Sequence, residues 1–393
     1  MPFSLYVLAV AVFAMGTSEF MLAGLVPDIA ATFDVSIGSA GLLTSAFAVG
    51  MIVGAPLMAA LARRWPARAT LLFFVLVFAV MHIVGAITSS FSVLLVARVI
   101  AALANAGFIA VALSTAATLV AADRKGRALA VLLSGTTIAT VAGAPGGALL
   151  GTLLGYRATF WTIALLCLPA AIGIAKGFPA DTEDSTQGTP AVMSLRSEIA
   201  QLAKPGLILV ILLAALVNAA TFATFTFLAP IVTGTGGLEE LWVPVVLAVF
   251  GAGSFVGVTV AGRFSDQRPG VVIAVCGPVL LLGWIGLATQ APHSVALLVL
   301  ACTQGALSFA VGSTLIARVL YESEDAPTMG GSYATAALNI GAAAGPAISA
   351  ATLSSRVGDL GPVWTSGLLG TVALAIGLPL LRVIAPGAGQ VIR

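Results

Sequence analysis

Two charged side chains sit where charge is expensive. Glu19 lies inside the apolar run 4–29 and Arg98 inside the run 92–121. An ionised group at the centre of a bilayer costs roughly 2.5–3.5 kcal/mol on insertion scales, so such groups serve a purpose. At about 1.5 Å of rise per residue, counted from opposite ends of their runs, the two reach a similar depth. A carboxyl there is a candidate proton carrier. Low dielectric favours the neutral form of any carboxyl, and a nearby cation favours the charged form. A change in their separation or hydration would change proton affinity. The alternative is a static ion pair that fixes helix packing.

Polar side chains recur on faces of other apolar runs. Asn105 follows Arg98 by seven residues. Asn218, Phe222 and Phe225 are spaced i, i+4, i+7, with Thr221 beside them. Gln304 and Ser308 share a face, as do Ser332, Thr335 and Asn339. Helical periodicity brings each set to one side of its helix. A cavity lined by Asn105, Asn218, Phe222, Phe225, Gln304 and Asn339 would suit a neutral, partly aromatic small molecule. The competing account is hydrogen bonding between helices, worth only about 0.6 kcal/mol on average. His82 lies mid-run without a second metal ligand, so packing or a local hydrogen bond is expected. Cys167, Cys276 and Cys302 fall in apolar runs with no CxxC spacing, which predicts small buried hydrophobes. There is no P-loop, zinc pattern or dinucleotide fingerprint, so no metal and no cofactor are expected.

The elements that hold these residues follow from composition. The chain has 393 residues, of which 17 are Lys or Arg and 15 Asp or Glu. That is 8% charged, against about 25% in soluble proteins. Apolar residues make up 60%, and the mean hydropathy is +1.12. Too little polar surface remains for a soluble enzyme, a nucleic-acid binder or a disordered chain. A net charge of +2 gives no reason to expect a polyanionic partner. Apolar stretches near the ~20 residues that span a bilayer occur at about 4–29, 39–62, 70–88, 92–121, 127–154, 158–177, 205–232, 242–263, 271–290, 295–319, 329–353 and 361–384. Lipid offers no partner for an open strand edge, so these are read as helices. The fold class is an all-α polytopic membrane protein with twelve transmembrane helices, the first retained and not cleaved as a signal.

Basic residues orient the spans. With both termini cytoplasmic, fourteen of the 17 cations fall in inside loops and ends, two (Arg157 and Arg356) fall outside, and Arg98 is in the membrane. The positive-inside rule prefers this orientation. Residues 177–204 contain Asp181, Glu183, Asp184, Ser185, Thr186, Gln187 and Gly188, a solvated linker. Its end carries Leu195, Ile199 and Leu202 at helical spacing after a capping Ser194, so a short surface helix is expected there. A tether disordered throughout is the alternative.

The two halves repeat at an offset of 203. Phe47, Gly50, Val53, Gly54 and Pro66 fall on Phe250, Gly253, Val256, Gly257 and Pro269. Leu25 and Pro27 fall on Leu228 and Pro230. The expected organisation is therefore a six-helix bundle over 1–176, a cytoplasmic linker over 177–204 and a second pseudo-symmetric six-helix bundle over 205–393. Transporters with parallel halves hold their site at the interface. The charge is not repeated: Glu19 and Arg98 correspond to Phe222 and Ala301.

Several segments carry a resemblance. "GAPLMAALARRWPAR" (54–68), "RVIAALANAG" (98–107) and "SGTTIATVAGAPGGALLG" (134–151) resemble the loop, helix 4 and glycine-proline motifs of the major facilitator superfamily, in its drug:proton antiporter branch with twelve helices. The likeness covers the whole chain. "AMGTSEFMLAGLVPDIA" (14–30), "GYRATFW" (155–161) and "TMGGSYATAALNIGAAAGP" (328–346) resemble more narrowly the actinobacterial chloramphenicol exporters. The resemblance implies two bundles rocking about a central cavity in the plasma (inner) membrane. It implies proton-driven export of a small neutral drug, chloramphenicol, by a monomer that is not an enzyme, with Glu19 and Arg98 coupling the proton. A broader multidrug or sugar exporter is the alternative within the class. A passive facilitator has no use for a lone membrane glutamate, and a sensor would need an added soluble domain.

There are departures from the family pattern. Arg63 stands at the loop motif's aspartate and Pro66 at its later glycine, and Ala101 and Ala102 replace the usual Gln-Gly pair. The second-half copy, "GRFSDQRPG" (262–270), keeps Gly262 and Asp266. In the family this loop meets the start of helix 11 at the inner gate. Here Arg63, Arg64 and Arg68 would pair with Glu322, Glu324 and Asp325, and Asp266 would face the start of the fifth helix, unless all of them simply face water. Gly143, Gly146, Gly147 and Gly151 should let a neighbouring helix come close, while Pro145 bends the fifth span and shapes the interface between halves.

Overall fold

The computed structural model describes residues 2–61, 65–121, 124–178, 198, 200–265, 268–326 and 329–384. Among them every long element is a helix and there is no strand. Twelve are long and apolar enough to cross a membrane. We number these α1 (Phe3–Phe20), α2 (Ile37–Leu61), α3 (Ala67–Ile87), α4 (Phe91–Thr118), α5 (Lys125–Ile138 and Ala144–Leu154), α6 (Tyr156–Gly177), α7 (Pro205–Phe225), α8 (Trp242–Phe264), α9 (Pro269–Gln290), α10 (Ser294–Glu322), α11 (Gly330–Leu353) and α12 (Gly361–Gly377). Large apolar side chains such as Phe73 (57% exposed) and Leu282 (66%) face outward. Such a surface is stable against lipid and not against water. The chain is a multipass membrane protein.

Three of the expected runs are not simple helices. The run 4–29 bends twice: α1 tightens into a 3₁₀ turn at Met21–Gly24, and a separate helix follows at Val26–Phe33. The fifth span is interrupted by a π-helical turn, Ala139–Gly143, just before Pro145. A π-turn takes up one extra residue in a helix, often at a functional site. The run 205–232 stops at Phe225, and a π-helical turn follows at Ile231–Thr235.

The repeat is realised in packing. In the first half, a Cβ at Gly50 would meet the backbone of Val99, and one at Gly54 the backbone of Leu103. In the second half, Gly253 lies against Cys302 and Gly257 against Ala306. Those partners are again 203 positions apart, so α2 on α4 and α8 on α10 are the same close helix pair built twice. Absent side chains let the backbones approach where dispersion, not the hydrophobic effect, drives association in lipid. One core cluster draws on residues from Leu5 to Phe178 with Phe227. The other runs from Leu207 to Ile384 and takes in Phe20, Ala23, Ala48, Ala144 and Ala148.

The halves meet along two seams. α2 runs beside α11: Ser45 Oγ donates to the Ala343 carbonyl (2.7 Å), and Ser332 Oγ donates to the Ala55 carbonyl (3.3 Å). Near the other end of this seam Gly38 lies against Ala350. α8 meets the π-turn of α5, where Gly251 abuts Val141, and Leu247 reaches Gly24 beyond it. Of the glycines in the fifth span, Gly143 faces Thr17, Gly147 faces Met21 and Gly151 faces Leu25. Gly146 departs from the expectation: a Cβ there would meet nothing within 4 Å. It is one residue before Gly147, so it points about 100° away from the face on α1.

Candidate functional site

Four consecutive residues of α1 point four ways, as 100° per residue requires. Thr17 turns to α5, where it contacts Gly143. Ser18 turns to α3 and α4. Phe20 crosses to the second half, with ring centroids 6.3 Å from both Phe222 and Phe225. Glu19 takes the direction between Ser18 and Phe20, half-buried. Its carboxylate makes no hydrogen bond or ion pair with a described residue.

Arg98 is 1% exposed and does not form an ion pair with Glu19. Its Nη1 donates to Ser18 Oγ (2.5 Å) and its Nη2 to the Ser18 main-chain carbonyl (3.0 Å). The guanidinium also lies 4.3 Å over the ring of Phe47. That carbonyl is free for a reason local to α1. The α-helical ladder ends with Met21 N–H on Thr17 O, and the 3₁₀ turn that follows does not take up Ser18 O. Carbonyls at helix ends need outside donors, and Arg98 supplies one. Hydrogen bonds to a charged group contribute about 1.5–3 kcal/mol each, and a desolvated cation–π contact about 2 kcal/mol. Together they offset the insertion cost of one arginine. Arg98 Nε has no partner.

Ser18 and His82 complete this cluster, and the sequence reading assigned neither a role in it. Ser18 Oγ is 2.7 Å from His82 Nε2, and His82 Nδ1 is 2.8 Å from the Phe78 carbonyl. The imidazole is stacked between Phe78 (4.3 Å) and Phe160 (5.6 Å). The local hydrogen bond expected for His82 is present, but it is joined to Arg98. The available signal was that His82 is the histidine within a span and Ser18 adjoins the membrane glutamate.

The second half answers the charge with rings. Phe250 stands where Phe47 stands in the first half. It packs on Phe225 (5.0 Å) and Phe309 (6.4 Å) instead of on a guanidinium. Phe222 and Phe225 are 5.8 Å apart. Phe20, Phe222, Phe225 and Phe250 thus form one aromatic cluster across the boundary between halves.

The predicted amides are placed differently from one another. Asn105 Nδ2 points at Met51 Sδ (3.6 Å), and its Oδ1 has no partner. Asn218 Nδ2 donates to the Leu338 carbonyl of α11 (2.6 Å). Asn339 Nδ2 bonds its own helix at Thr335, leaving Oδ1 without a partner. Gln304 is fully buried toward α9, donating to the Leu280 carbonyl (3.2 Å). It therefore does not share a surface with the phenylalanine cluster. Asp28 bonds the Tyr156 main-chain N–H (2.5 Å) at the start of α6. Arg157 beside it donates to the carbonyls of Ala86 and Thr88.

Of the expected gate, Arg63, Arg64 and Asp266 lie outside the described residues. Glu322 accepts from Arg318 of its own helix (2.7 Å), and Asp325 pairs with Lys204 at the start of α7 (2.8 Å). Glu198, at the end of the linker, takes the Met329 N–H (2.9 Å), and its carbonyl accepts from Tyr333 (2.8 Å). Pro145 follows the π-turn, as described. Ser194, Leu195 and Ile199 of the expected surface helix are outside the described residues.

The family model of the Major Facilitator Superfamily matches residues 8–346. A chloramphenicol resistance protein of Streptomyces lividans is 66% identical over 390 residues, 99% of this chain and 98% of that protein. An inner membrane transport protein of Escherichia coli K12 is 30% identical over 358 residues, 91% of this chain and 90% of that one. Among solved structures, a bacterial homologue of the human lysosomal transporter Spinster, inward-facing and unoccupied, superposes with a TM-score of 0.77. It covers 97% of this chain at 18% identity, 96% of that chain being matched, a likeness of fold alone.

Proposed function

This chain belongs to the major facilitator superfamily, and we propose that it is a proton-coupled exporter of chloramphenicol. The observation that carries the substrate is the 66% identity, over nearly the full length, to a protein named for chloramphenicol resistance. The site supports it. A neutral, partly aromatic drug needs ring surface and a few amides, and Phe20, Phe222 and Phe225 with Asn105 can supply both. A half-buried, unpartnered Glu19 supplies a proton-binding group.

The cycle follows from the seams. Rocking of the halves about α2–α11 and α5–α8 exposes the site alternately to each side of the membrane. Protonation of Glu19 from outside lets the emptied carrier return, and release of the proton inside readies it for drug. One proton falling through 100 mV releases about 2.3 kcal/mol. A tenfold gradient costs about 1.4 kcal/mol. One proton per neutral drug therefore supports roughly forty-fold exclusion at that potential.

The same reading places the carrier in the cell membrane with both termini cytoplasmic. It works as a monomer, without metal or cofactor, with Arg63, Arg64, Asp266 and Glu322 at the inner gate and bundles over 1–176 and 205–393. The test is drug-dependent proton movement in proteoliposomes across a small drug panel. Proton movement evoked by cationic dyes and not by chloramphenicol would replace it with the multidrug reading.

A further inference from the structure

Ser18 stands at the centre of a hydrogen-bonded chain that has only one direction. The Phe78 carbonyl can only accept, so His82 Nδ1 carries the proton and donates to it (2.8 Å). Nε2 of the neutral ring is then an acceptor, and the Ser18 hydroxyl donates its only hydrogen there (2.7 Å). This turns the hydroxyl lone pairs toward Arg98 Nη1 (2.5 Å). Thr17, one residue earlier, shows what a hydroxyl of α1 does without such an acceptor. It folds back onto its own helix at the Phe13 carbonyl (2.8 Å), the usual i−4 habit of Ser and Thr. His82 therefore keeps Ser18 turned outward for Arg98. Arg98 is the charged group facing the imidazole, and from α6 the ring of Phe160 lies beside it.

Two complementary groups are left over beside this chain. Among the described residues Arg98 Nε has no acceptor, and Glu19, the next residue after Ser18, has no donor. A guanidinium has five N–H groups and a flexible stem, and Ser18 and Glu19 leave adjacent positions of α1. We propose that His82, through Ser18, is a positioning residue that holds Arg98 off Glu19, and that the transport cycle passes Arg98 between Ser18 and the Glu19 carboxylate. With Arg98 parked on Ser18, Glu19 is free to take a proton. With Arg98 on Glu19, the carboxylate is held charged. The inference rests on the proton-coupled reading above.

The test uses the full chain in proteoliposomes, comparing Ser18→Ala, His82→Leu and His82→Gln. Two rates are read: chloramphenicol accumulation driven by an imposed pH gradient, and drug-for-drug exchange without one. Ser18→Ala and His82→Leu should keep exchange and lose about fivefold or more of the driven accumulation, the lower range of coupling between linked sites. His82→Gln should recover most of it, because its amide oxygen can accept from Ser18 although it cannot titrate. Normal driven accumulation by Ser18→Ala would overturn the proposal. So would a Gln variant as damaged as the Leu variant with exchange intact. If His82→Leu fails to fold, exchange is lost and Ser18→Ala, one atom smaller, decides. No driven accumulation by the unmodified chain would remove the proton-coupled reading itself, and the Arg98 exchange with it.

Discussion

Arg98 holds Ser18 by both its hydroxyl and its main-chain carbonyl, one residue before Glu19. Both terminal nitrogens of a buried cation are thus bonded without an ion pair to Glu19, the acid of α1. Glu19 is left without an ion pair among the described residues because its neighbour Ser18 binds the guanidinium.

Glu19→Gln keeps the shape of the side chain and removes its proton chemistry. Drug binding and downhill exchange should persist, and the roughly forty-fold gradient that one proton supports should collapse to none. Counting drug retained by energised vesicles at matched protein levels reads this directly. Full uphill export by the variant would move coupling elsewhere.

Asp28 is the next acid along the chain after Glu19, but it caps α6 through the Tyr156 N–H. Asp28→Asn keeps an oxygen acceptor there and should leave coupling intact. Asp28→Ala should lose about 1 kcal/mol of stability, as other N-cap deletions do. A thermal melt in detergent separates the two.

The fifth span makes a prediction for each glycine. A methyl at Gly147 would stand 2.7 Å from Met21 Cβ, and one at Gly143 within 3.0 Å of the Thr17 backbone. Gly143→Ala and Gly147→Ala should each destabilise by about 1–3 kcal/mol, the usual cost of overpacking, and slow export. Gly146→Ala should do neither. Equal effects at all three positions in a melt would contradict this packing.

Phe225 sits between Phe222 and Phe250. Phe225→Leu keeps most of the apolar volume and loses ring contacts worth about 0.5–1.5 kcal/mol. The KM for the drug should rise about two- to tenfold with little change in the maximal rate. A fall in rate at constant KM would assign the cluster to gating.

Topology is tested by thiol labelling from outside intact cells, in a background lacking Cys167, Cys276 and Cys302. Position 240 is exposed in the loop before α8, whereas 236 is buried. Glu240→Cys should therefore react with an impermeant reagent and Gln187→Cys should not. Labelling of 187 from outside would reverse the orientation drawn from the basic residues.

Twelve helices, the duplication and the two charged residues in apolar runs were all readable from the chain. Lipid compels each span to close its own backbone hydrogen bonds, so span length and hydropathy decide the fold class locally. Gly50, Gly54, Gly253 and Gly257 marked the repeat in the sequence, and the structure shows the helix pairs they build. What the amides and charges bond was decided only in three dimensions. A side chain's partner depends on helix rotation, and hydropathy does not set rotation when the whole run is apolar. So Gln304 turned to α9 and Asn218 to α11. Arg98 found Ser18, because the change from α to 3₁₀ winding at Met21 releases a carbonyl that no sequence pattern marks. His82 joined it across 64 residues, a proximity created by packing α3 between α4 and α6.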